Sequence, residues 1–425
     1  MPVNSYMKYT SIKGMSDIMP QDMDLWHKLE DTVLRIFVAY GYREVRTPVL
    51  EKTDLFVRGI GKETSVVEKE MYTFKDAGDD MLSLRPEGTA SVVRAYIESG
   101  AYQTDPVVKY LYMGQMFRRE RPQKGRYRQF HQIGVEALGV ADPSIDAEQI
   151  AMGEFFFKSL GLTDFSTEIN SLGCRECRPT YNKLFGDFLM KKQAHLCADC
   201  QRRVTRNPLR AFDCKNPQCQ ESMKEAPLIG SHLCKACEEH FGSVQNFLKS
   251  LGVKFTVNHK IVRGLDYYMR TAFEYTTDKL GAQNALGGGG RYDGLVKELG
   301  GPDVPGVGFA IGMERVILLM QALGLDKYPP RDMVFFALLG DAAREKGLPL
   351  INMLRQDGVC AELDNEGHSL KSQMRRADKL IAHTVVIIGD EELKKGVAVV
   401  RNMHTKHQEE VKLDLLPMHF VRVEN

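Results

Sequence analysis

Six cationic side chains, Arg118, Arg119, Arg121, Lys124, Arg126 and Arg128, crowd one short stretch and are opposed there only by Glu120. Guanidinium groups bind phosphate oxygens bidentately, so this density predicts a site for a polyphosphate or a nucleic-acid backbone. A solvated hairpin edge guarded by charge is the structural alternative. Leu111–Arg118 and Arg128–Ala137 read as the flanking strands, and Pro122, Lys124 and Gly125 mark a long connection in place of a tight turn. On the returning strand Gln132 and Glu136 share a face, with Gly134 between them. His131 points the other way and reads as a structural histidine.

Three further strings carry usable chemistry. Leu82–Thr89 reads as a strand end, a Pro86–Gly88 turn and the start of a helix running through Tyr96, where Glu87 and Thr89 suit the helix dipole. Val262–Arg270 reads as a tyrosine-rich core strand, with Arg263 beside Tyr267 and Tyr268. Ala285–Asp293 contains four consecutive glycines, which allow close approach of backbone to a ligand. It matches neither a dinucleotide fingerprint nor a P-loop, because the spacing and the Gly-Lys-Ser/Thr ending are missing. Gly306–Gly312 then reads as a strand entering an apolar helix near Arg315.

Eight of the nine cysteines fall in close pairs: Cys174 and Cys177, Cys197 and Cys200, Cys214 and Cys219, Cys234 and Cys237. Thiolates so spaced suit tetrahedral zinc and would fill two four-cysteine sites. Chain order leaves open which pairs share a metal; reduced cysteines without a site are the alternative. Cys360 stands apart and reads as a buried thiol.

The elements that must position these residues are legible in outline. With 425 residues and a net charge of +1, the chain has room for two or three cored domains, and any RNA contact must come from local patches. No apolar run approaches the ~20 residues of a membrane span, and the N-terminus lacks a signal-peptide pattern, so a cytoplasmic protein is expected. Met23–Tyr40 reads as an amphipathic helix with Trp26, Leu29, Val33, Ile36, Phe37 and Tyr40 on one stripe, ended by Gly41 and followed by a strand over Tyr42–Thr47. Leu325–Pro330 reads as a linker. Beyond it, strands at Val334–Leu339 and Val385–Ile388 and helices at Ala342–Gln356 and Ser369–Leu380 predict a small α/β domain. Lys371, Arg375, Arg376 and Lys379 recur there at helical spacing, as a solvated face does.

FRRE, a loop, then RYRQFHQIGVE is similar to motif 2 of the class II aminoacyl-tRNA synthetases in its histidyl-tRNA synthetase form. RPEGT at Arg85–Thr89, RGLDYYMR at Arg263–Arg270 and the glycine run resemble other strings of that family. The helix-to-strand stretch ending at Thr47 resembles motif 1, and GVGFAIGMER at Gly306–Arg315 resembles motif 3. The resemblance implies an α+β fold. It would comprise a class II catalytic domain with an antiparallel sheet flanked by helices (1–325), an inserted cysteine-rich domain (171–257) and a C-terminal α/β anticodon-binding domain (331–425). It implies ATP-dependent ligation of L-histidine to tRNA-His by a bacterial-type homodimer joined through motif 1, with ATP bound with Mg2+ and any zinc structural. By the same resemblance Glu87, Thr89 and Gln132 would meet the amino end of histidine. Glu136 and Tyr268 would meet its imidazole, Tyr267 would line the pocket, and Arg263 and Arg118 would be catalytic, at the carboxylate and α-phosphate. Glu120 and Arg126 would approach the nucleotide, and Arg315 would stack on adenine. Lys371, Arg375, Arg376 and Lys379 become candidates for RNA contact. Two other readings stand beside it: a non-catalytic synthetase-like regulatory subunit of histidine biosynthesis, and a zinc-dependent RNA-binding protein with a vestigial site. Such regulators lose motif arginines and usually the C-terminal domain, whereas Arg118, Arg126, Arg263 and Arg315 are all present here.

Overall fold

A computed structural model describes residues 9–61, 64–281, 284–326 and 332–420. The chain forms two compact units, one ending at Asp326 and one covering the described residues 332–420. Residues 327–330 of the expected linker lie outside the described residues.

The first unit contains β1 (Arg43–Glu44), β2 (Leu50–Lys52), β3 (Tyr72–Lys75), β4 (Met81–Leu84), β5 (Val108–Phe117), β6 (Gln129–Leu138), β7 (Ser166–Ser171), β8 (Phe255–Val257), β9 (Met269–Thr276), β10 (Ala285–Arg291) and β11 (Gly306–Gly312). Eight of these form one sheet in the order β1-β5-β6-β11-β10-β9-β7-β8, while β2-β4-β3 make a small separate sheet. The large sheet is antiparallel except at its ends, where β1 runs parallel to β5 and β7 to β8. The expected hairpin is β5–β6, paired without slippage from Val108 opposite Leu138 to Phe117 opposite Gln129. Its register is pinned because Leu111, Ile133 and Val135 must all stay buried, and a one-residue slip would turn them outward.

The Pro20–Ala39 helix buries Leu25, Trp26, Leu29, Val33, Ile36 and Phe37, as the stripe requires. Phe37 meets Phe309 of β11 edge-on at 5.9 Å, which seats the helix on the sheet. Tyr40 is only half-buried because it caps the helix and does not lie on its stripe. The strand expected over Tyr42–Thr47 shrinks to Arg43–Glu44, the two residues with ladder partners on β5 before the chain turns toward Pro48.

Between β7 and β8 the cysteine-rich segment is helical, with helices at Cys177–Lys191, Ala198–Arg206, Pro217–Ser222 and Lys235–Ser250. Its Tyr181, Phe185 and Leu189 join one continuous core with Val93, Tyr96, Tyr268 and Tyr292. The segment therefore packs as part of the first unit, with no separate core of its own.

The second unit has β12 (Val334–Leu338), β13 (Ala361–Leu363), β14 (Thr384–Ile388), β15 (Val397–Asn402) and β16 (Gln408–Lys412), in the order β13-β12-β14-β15-β16. Helices span Asp341–Gln356 and Leu370–Lys379, and Lys371, Arg375, Arg376 and Lys379 are exposed. Cys360, expected buried, is exposed: it precedes the edge strand β13, where Ala361 and Leu363 take the inward positions.

One buried guanidinium joins the elements on which the first unit's site is built. Arg291, at the end of β10, is fully buried against fully buried Asp146, 2.7 Å away in the Ser144–Ser159 helix. Its remaining N–H groups donate to the Val140 and Asp142 carbonyls, both at 3.0 Å, just past β6. Removing one member of such a pair leaves an uncompensated buried charge. Arg291→Ala should therefore lower stability by about 3–5 kcal/mol in urea unfolding, and Arg291→Met with Asp146→Leu should recover much of it. A loss below about 1 kcal/mol in the single variant would contradict this account, being the size of an exposed pair.

Candidate active site

The β5–β6 hairpin, β10, β11 and the loop before β9 enclose a cleft of about 270 Å³. Apart from Glu136, every residue expected at a ligand site lines it. Glu87, Thr89, Gln132, Tyr267 and Tyr268 are those expected at histidine, Glu120, Arg126 and Arg315 those expected at the nucleotide, and Arg118 and Arg263 those expected at the carboxylate and α-phosphate. The converging segments are far apart in sequence, so the sheet topology brings them together.

Glu87 closes the start of the Thr89–Glu98 helix. Its two oxygens accept the Thr89 and Ala90 N–H groups at 2.7 and 2.9 Å, pairing donors that a helix leaves orphaned. Burial pushes its pKa up, against the pull of these N–H groups and of Arg118. Thr89 then donates through Oγ1 to Glu136 at 2.7 Å.

Glu136 lies beneath the cleft and does not line it. The hydroxyls of Thr89 and Tyr292 donate to its two oxygens, with Tyr112 at 3.5 Å. The opposite residue on β11 is Gly308, where a Cβ would stand 1.8 Å from Glu136 Oε2, so the carboxylate fits only over glycine. Burial raises this carboxyl to about 8, against the pull of the Tyr292 and Thr89 hydroxyls and with further help from nearby Glu87. Glu136 thus connects to the cleft through Thr89, which lines it.

The cations are held by short-range partners. Arg118 donates from Nε to the Pro86 carbonyl at 2.9 Å and lies over the Phe130 ring. Arg126 Nη1 is 2.9 Å from Glu120. Arg315 reaches the Gly125 carbonyl at 3.0 Å and the Ala285 carbonyl, tying the hairpin loop to β10. Burial depresses the Arg315 guanidinium, and the like charges of Arg126 and Arg118 add to this, so the cleft favours an incoming anion. Arg263 pairs with Glu274 of β9, and Gly288 leaves room for it: a Cβ there would lie 2.9 Å from Arg263 Nη1. Four residues that line this cleft carry a buried polar atom without a hydrogen-bond partner among the described residues: Gln132 Oε1, Arg263 Nε, the Tyr267 hydroxyl and Glu120 Oε2, the last ion-paired with Arg126. Orphans of this kind are rare in native structures, and here they sit on residues around one cleft.

Several expectations need adjustment. Of the six hairpin cations only Arg118 and Arg126 line the cleft; Arg119, Arg121 and Lys124 are exposed, and Arg128 reaches the Lys13 carbonyl at 3.3 Å. Tyr267 and Tyr268 sit in a turn before β9, so the strand expected over 262–270 begins only at Met269. Among the four glycines, Gly287 and Gly288 reach the cleft, while Gly289 and Gly290 lie tight against neighbouring backbone inside the sheet. Sequence reasoning also passed over Glu274, Tyr292 and Glu314. The first is an acidic residue between Phe273 and Tyr275 in a strand whose other charge is Arg270, which is a usable signal. Glu314 lines the cleft and accepts from the His131 backbone N–H at 2.9 Å, with His131 Nδ1 also at 2.9 Å, so the structural histidine supports it. The cysteines form two groups in space, Cys174, Cys177, Cys234 and Cys237, and Cys197, Cys200, Cys214 and Cys219.

Comparison with known proteins agrees with this geometry. A family model described as histidyl-tRNA synthetase matches residues 14–316, and one described as an anticodon binding domain matches residues 334–420. A histidine–tRNA ligase of Geobacter metallireducens is 51% identical over 405 residues, covering 95% of this chain and 97% of that protein. The crystal structure of apo S. aureus histidyl-tRNA synthetase is 36% identical, with a TM-score of 0.82 over 97% of this chain and 100% of that one. A Bacillus halodurans structure described as an ATP phosphoribosyltransferase regulatory subunit/histidyl-tRNA synthetase is 20% identical, with a TM-score of 0.64 over 87% of this chain and 97% of that one, and shares the fold alone.

The Glu136 carboxyl gives a pH test. An unfolded glutamate ionises near 4.5, whereas Glu136 keeps its proton to about 8. Between those values the folded chain binds more protons than the unfolded one, so this group's contribution to stability falls as pH rises through the window. Glu136→Gln, fixed neutral, should flatten that part of the curve of Tm against pH. An unchanged slope between pH 5 and 8 would refute the assignment.

Proposed function

The chain belongs to the histidyl-tRNA synthetase family, and from that membership we propose that its cleft activates L-histidine with ATP and transfers the histidyl group to tRNA-His. The observation that carries this reading is the set of buried atoms without hydrogen bonds on cleft residues, Gln132 Oε1 and Arg263 Nε among them, beside a cluster of cations. An acceptor suits an α-ammonium, and a guanidinium suits a carboxylate and the phosphate it attacks.

In this mechanism a carboxylate oxygen of histidine attacks the α-phosphorus of ATP. The bond from that phosphorus to the bridging oxygen breaks, and pyrophosphate leaves. The 3′-terminal hydroxyl of the tRNA then attacks the histidyl carbonyl, giving histidyl-tRNA and AMP. Neither step needs a covalent nucleophile from the protein, only positioning and positive charge. Arg118 and Arg263 neutralise the reacting oxygens. Glu120 and Arg126 meet the nucleotide, Arg126 toward its γ-phosphate, and Arg315 stacks on adenine. Glu87, Thr89 and Gln132 hold the amino end of histidine, while Tyr267 and Tyr268, with Glu136 beneath them, form the side-chain pocket. ATP enters as its magnesium complex. A pocket built from hydroxyls and a carboxyl rejects apolar amino acids by leaving its own polar groups unpaired, so selection needs no separate proofreading.

The second unit serves as the anticodon-binding module, with Lys371, Arg375, Arg376 and Lys379 available to the RNA backbone. The working form is a cytoplasmic homodimer joined through the Pro20–Glu44 region, and the cysteine-rich segment carries structural zinc.

Histidine-dependent ATP–pyrophosphate exchange is the test. Exchange should occur with histidine and with none of the other amino acids; its absence from folded, magnesium-supplied protein would favour a non-catalytic regulatory role. Arg263→Ala should lower the exchange rate by about 10²-fold or more, the scale of a lost transition-state donor. Because that change also strands Glu274, Arg263→Ala with Glu274→Gln should show the same loss. Normal exchange in either variant would remove Arg263 from the chemistry.

A further inference from the structure

The two cysteine groups do not follow chain order. Cys174 and Cys177, where the inserted segment begins, meet Cys234 and Cys237 near its end, while Cys197, Cys200, Cys214 and Cys219 gather between them. Sulfur–sulfur distances are 3.8 Å for Cys174–Cys177, 3.7 Å for Cys174–Cys234, 3.9 Å for Cys177–Cys237 and 3.8 Å for Cys197–Cys214. All sulfurs of a group lie within 4.8 Å of one another. Four thiolates at ~2.3 Å from a tetrahedral zinc ion define edges of about 3.8 Å. That spacing is far from the ~2.05 Å of a disulfide, and it is too tight to surround a sulfide-bridged iron cluster.

Backbone N–H groups already point at the sulfurs. Cys174 N donates to Cys177 Sγ at 3.2 Å and Glu176 N to Cys174 Sγ at 3.4 Å. In the other group Cys197 N donates to Cys219 Sγ at 3.2 Å and Asn216 N to Cys214 Sγ at 3.5 Å. Such donors fix ligand direction.

Both groups also brace the loop that follows Arg263. Next to Cys177, Arg178 donates to the Tyr268 carbonyl at 2.7 Å. Just before Cys174, Leu172 N donates to the Arg270 carbonyl at 2.6 Å, and Arg270 N donates back to Gly173 at 2.9 Å. From the stretch between Cys200 and Cys214, Asn207 donates to Asp266 at 2.8 Å and Arg210 to the Gly264 carbonyl. Gly264–Tyr268 is thus held by bonds from residues of the cysteine-rich segment, Arg178, Asn207 and Arg210.

We propose that the segment holds two mononuclear zinc centres, Cys174/Cys177/Cys234/Cys237 and Cys197/Cys200/Cys214/Cys219, which clamp the Gly264–Tyr268 loop and so fix the histidine pocket. The clamping step rests on the histidine-activation reading; the metal content does not.

Protein purified under reducing conditions from medium supplying zinc and iron should carry two zinc ions per chain. Cys177→Ser with Cys237→Ser should lose one zinc, and Cys200→Ser with Cys219→Ser the other. Cys177→Ser with Cys200→Ser should lose both. Pairing in chain order predicts instead that the first double variant loses both ions and the last only one. Iron in place of zinc, one zinc or none in the unmutated chain, or the chain-order pattern would each overturn the centres. For the clamp, Arg178→Met should keep both zinc ions while raising the KM for histidine in exchange about tenfold, the size of one lost charge-assisted hydrogen bond. An unchanged KM would overturn the clamp. Two zinc ions in a chain without any exchange would leave the centres standing and remove the activation reading.

Discussion

The first unit is organised around a guanidinium that never reaches solvent. Arg291 ends β10, and besides Asp293 just after it its partners lie on other elements: Asp146 in a helix, and the Val140 and Asp142 carbonyls past the end of β6. A buried cation is tolerated only where its N–H groups are paired, so this site specifies one arrangement of three segments. Those segments include β10 and the end of β6, two of the strands whose residues line the cleft. A hydrophobic contact there would allow small slides; a five-donor fork does not.

With the frame fixed, the cleft can hold charges that would otherwise repel or find water. Arg118, Arg126 and Arg315 share a small volume with Glu120, and Arg263 leans on Glu274. Without ligand, much of their capacity is spent on carbonyls and carboxylates of the protein: Pro86, Gly125 and Ala285 accept from Arg118 and Arg315. An anion of several phosphates exchanges these weak partners for stronger ones with little rearrangement, which is the sense in which such a site is preorganised. Arg315 carries a second consequence. Its bonds to the Gly125 and Ala285 carbonyls tie the tip of the charged hairpin loop to β10, so this one side chain governs where the loop stands.

How far the sequence could be read follows from the range of each interaction. The β5–β6 hairpin, the Pro20–Ala39 helix and the alternating elements of the second unit are set by local periodicity and turn residues, and their bounds fall within a few positions of expectation. The cleft residues were recognisable because strings such as RPEGT and RGLDYYMR keep their neighbours in order. What stayed hidden depends on contacts between distant segments. The Cys174–Cys234 pairing joins residues 60 apart, and the Glu136–Tyr292 bond joins residues 156 apart, and no periodicity encodes either. Tyr267 and Tyr268 misled for the same reason: their composition suits a strand, but Asp266 is fixed to the Ile60 carbonyl and holds the chain in a turn until Met269.

The buried Glu136 shows how these long-range contacts shape selectivity. A carboxyl at the cleft wall, open to water, would ionise and attract any cation. Placed over Gly308 and under three hydroxyls, it is held near neutrality and acts through the orientation of Thr89 and Tyr292. Thr89 is itself fixed by Glu87, whose oxygens cap the same helix turn, so the two carboxyls are coupled through one residue. A ligand that donates to the Thr89 hydroxyl therefore joins a shared proton network, whereas an apolar one leaves that oxygen's acceptor capacity unused. Discrimination then resides in the hydrogen-bond network around the pocket as well as in its shape, and this ties the choice of substrate to the β6–β11 pairing that holds Glu136 in place.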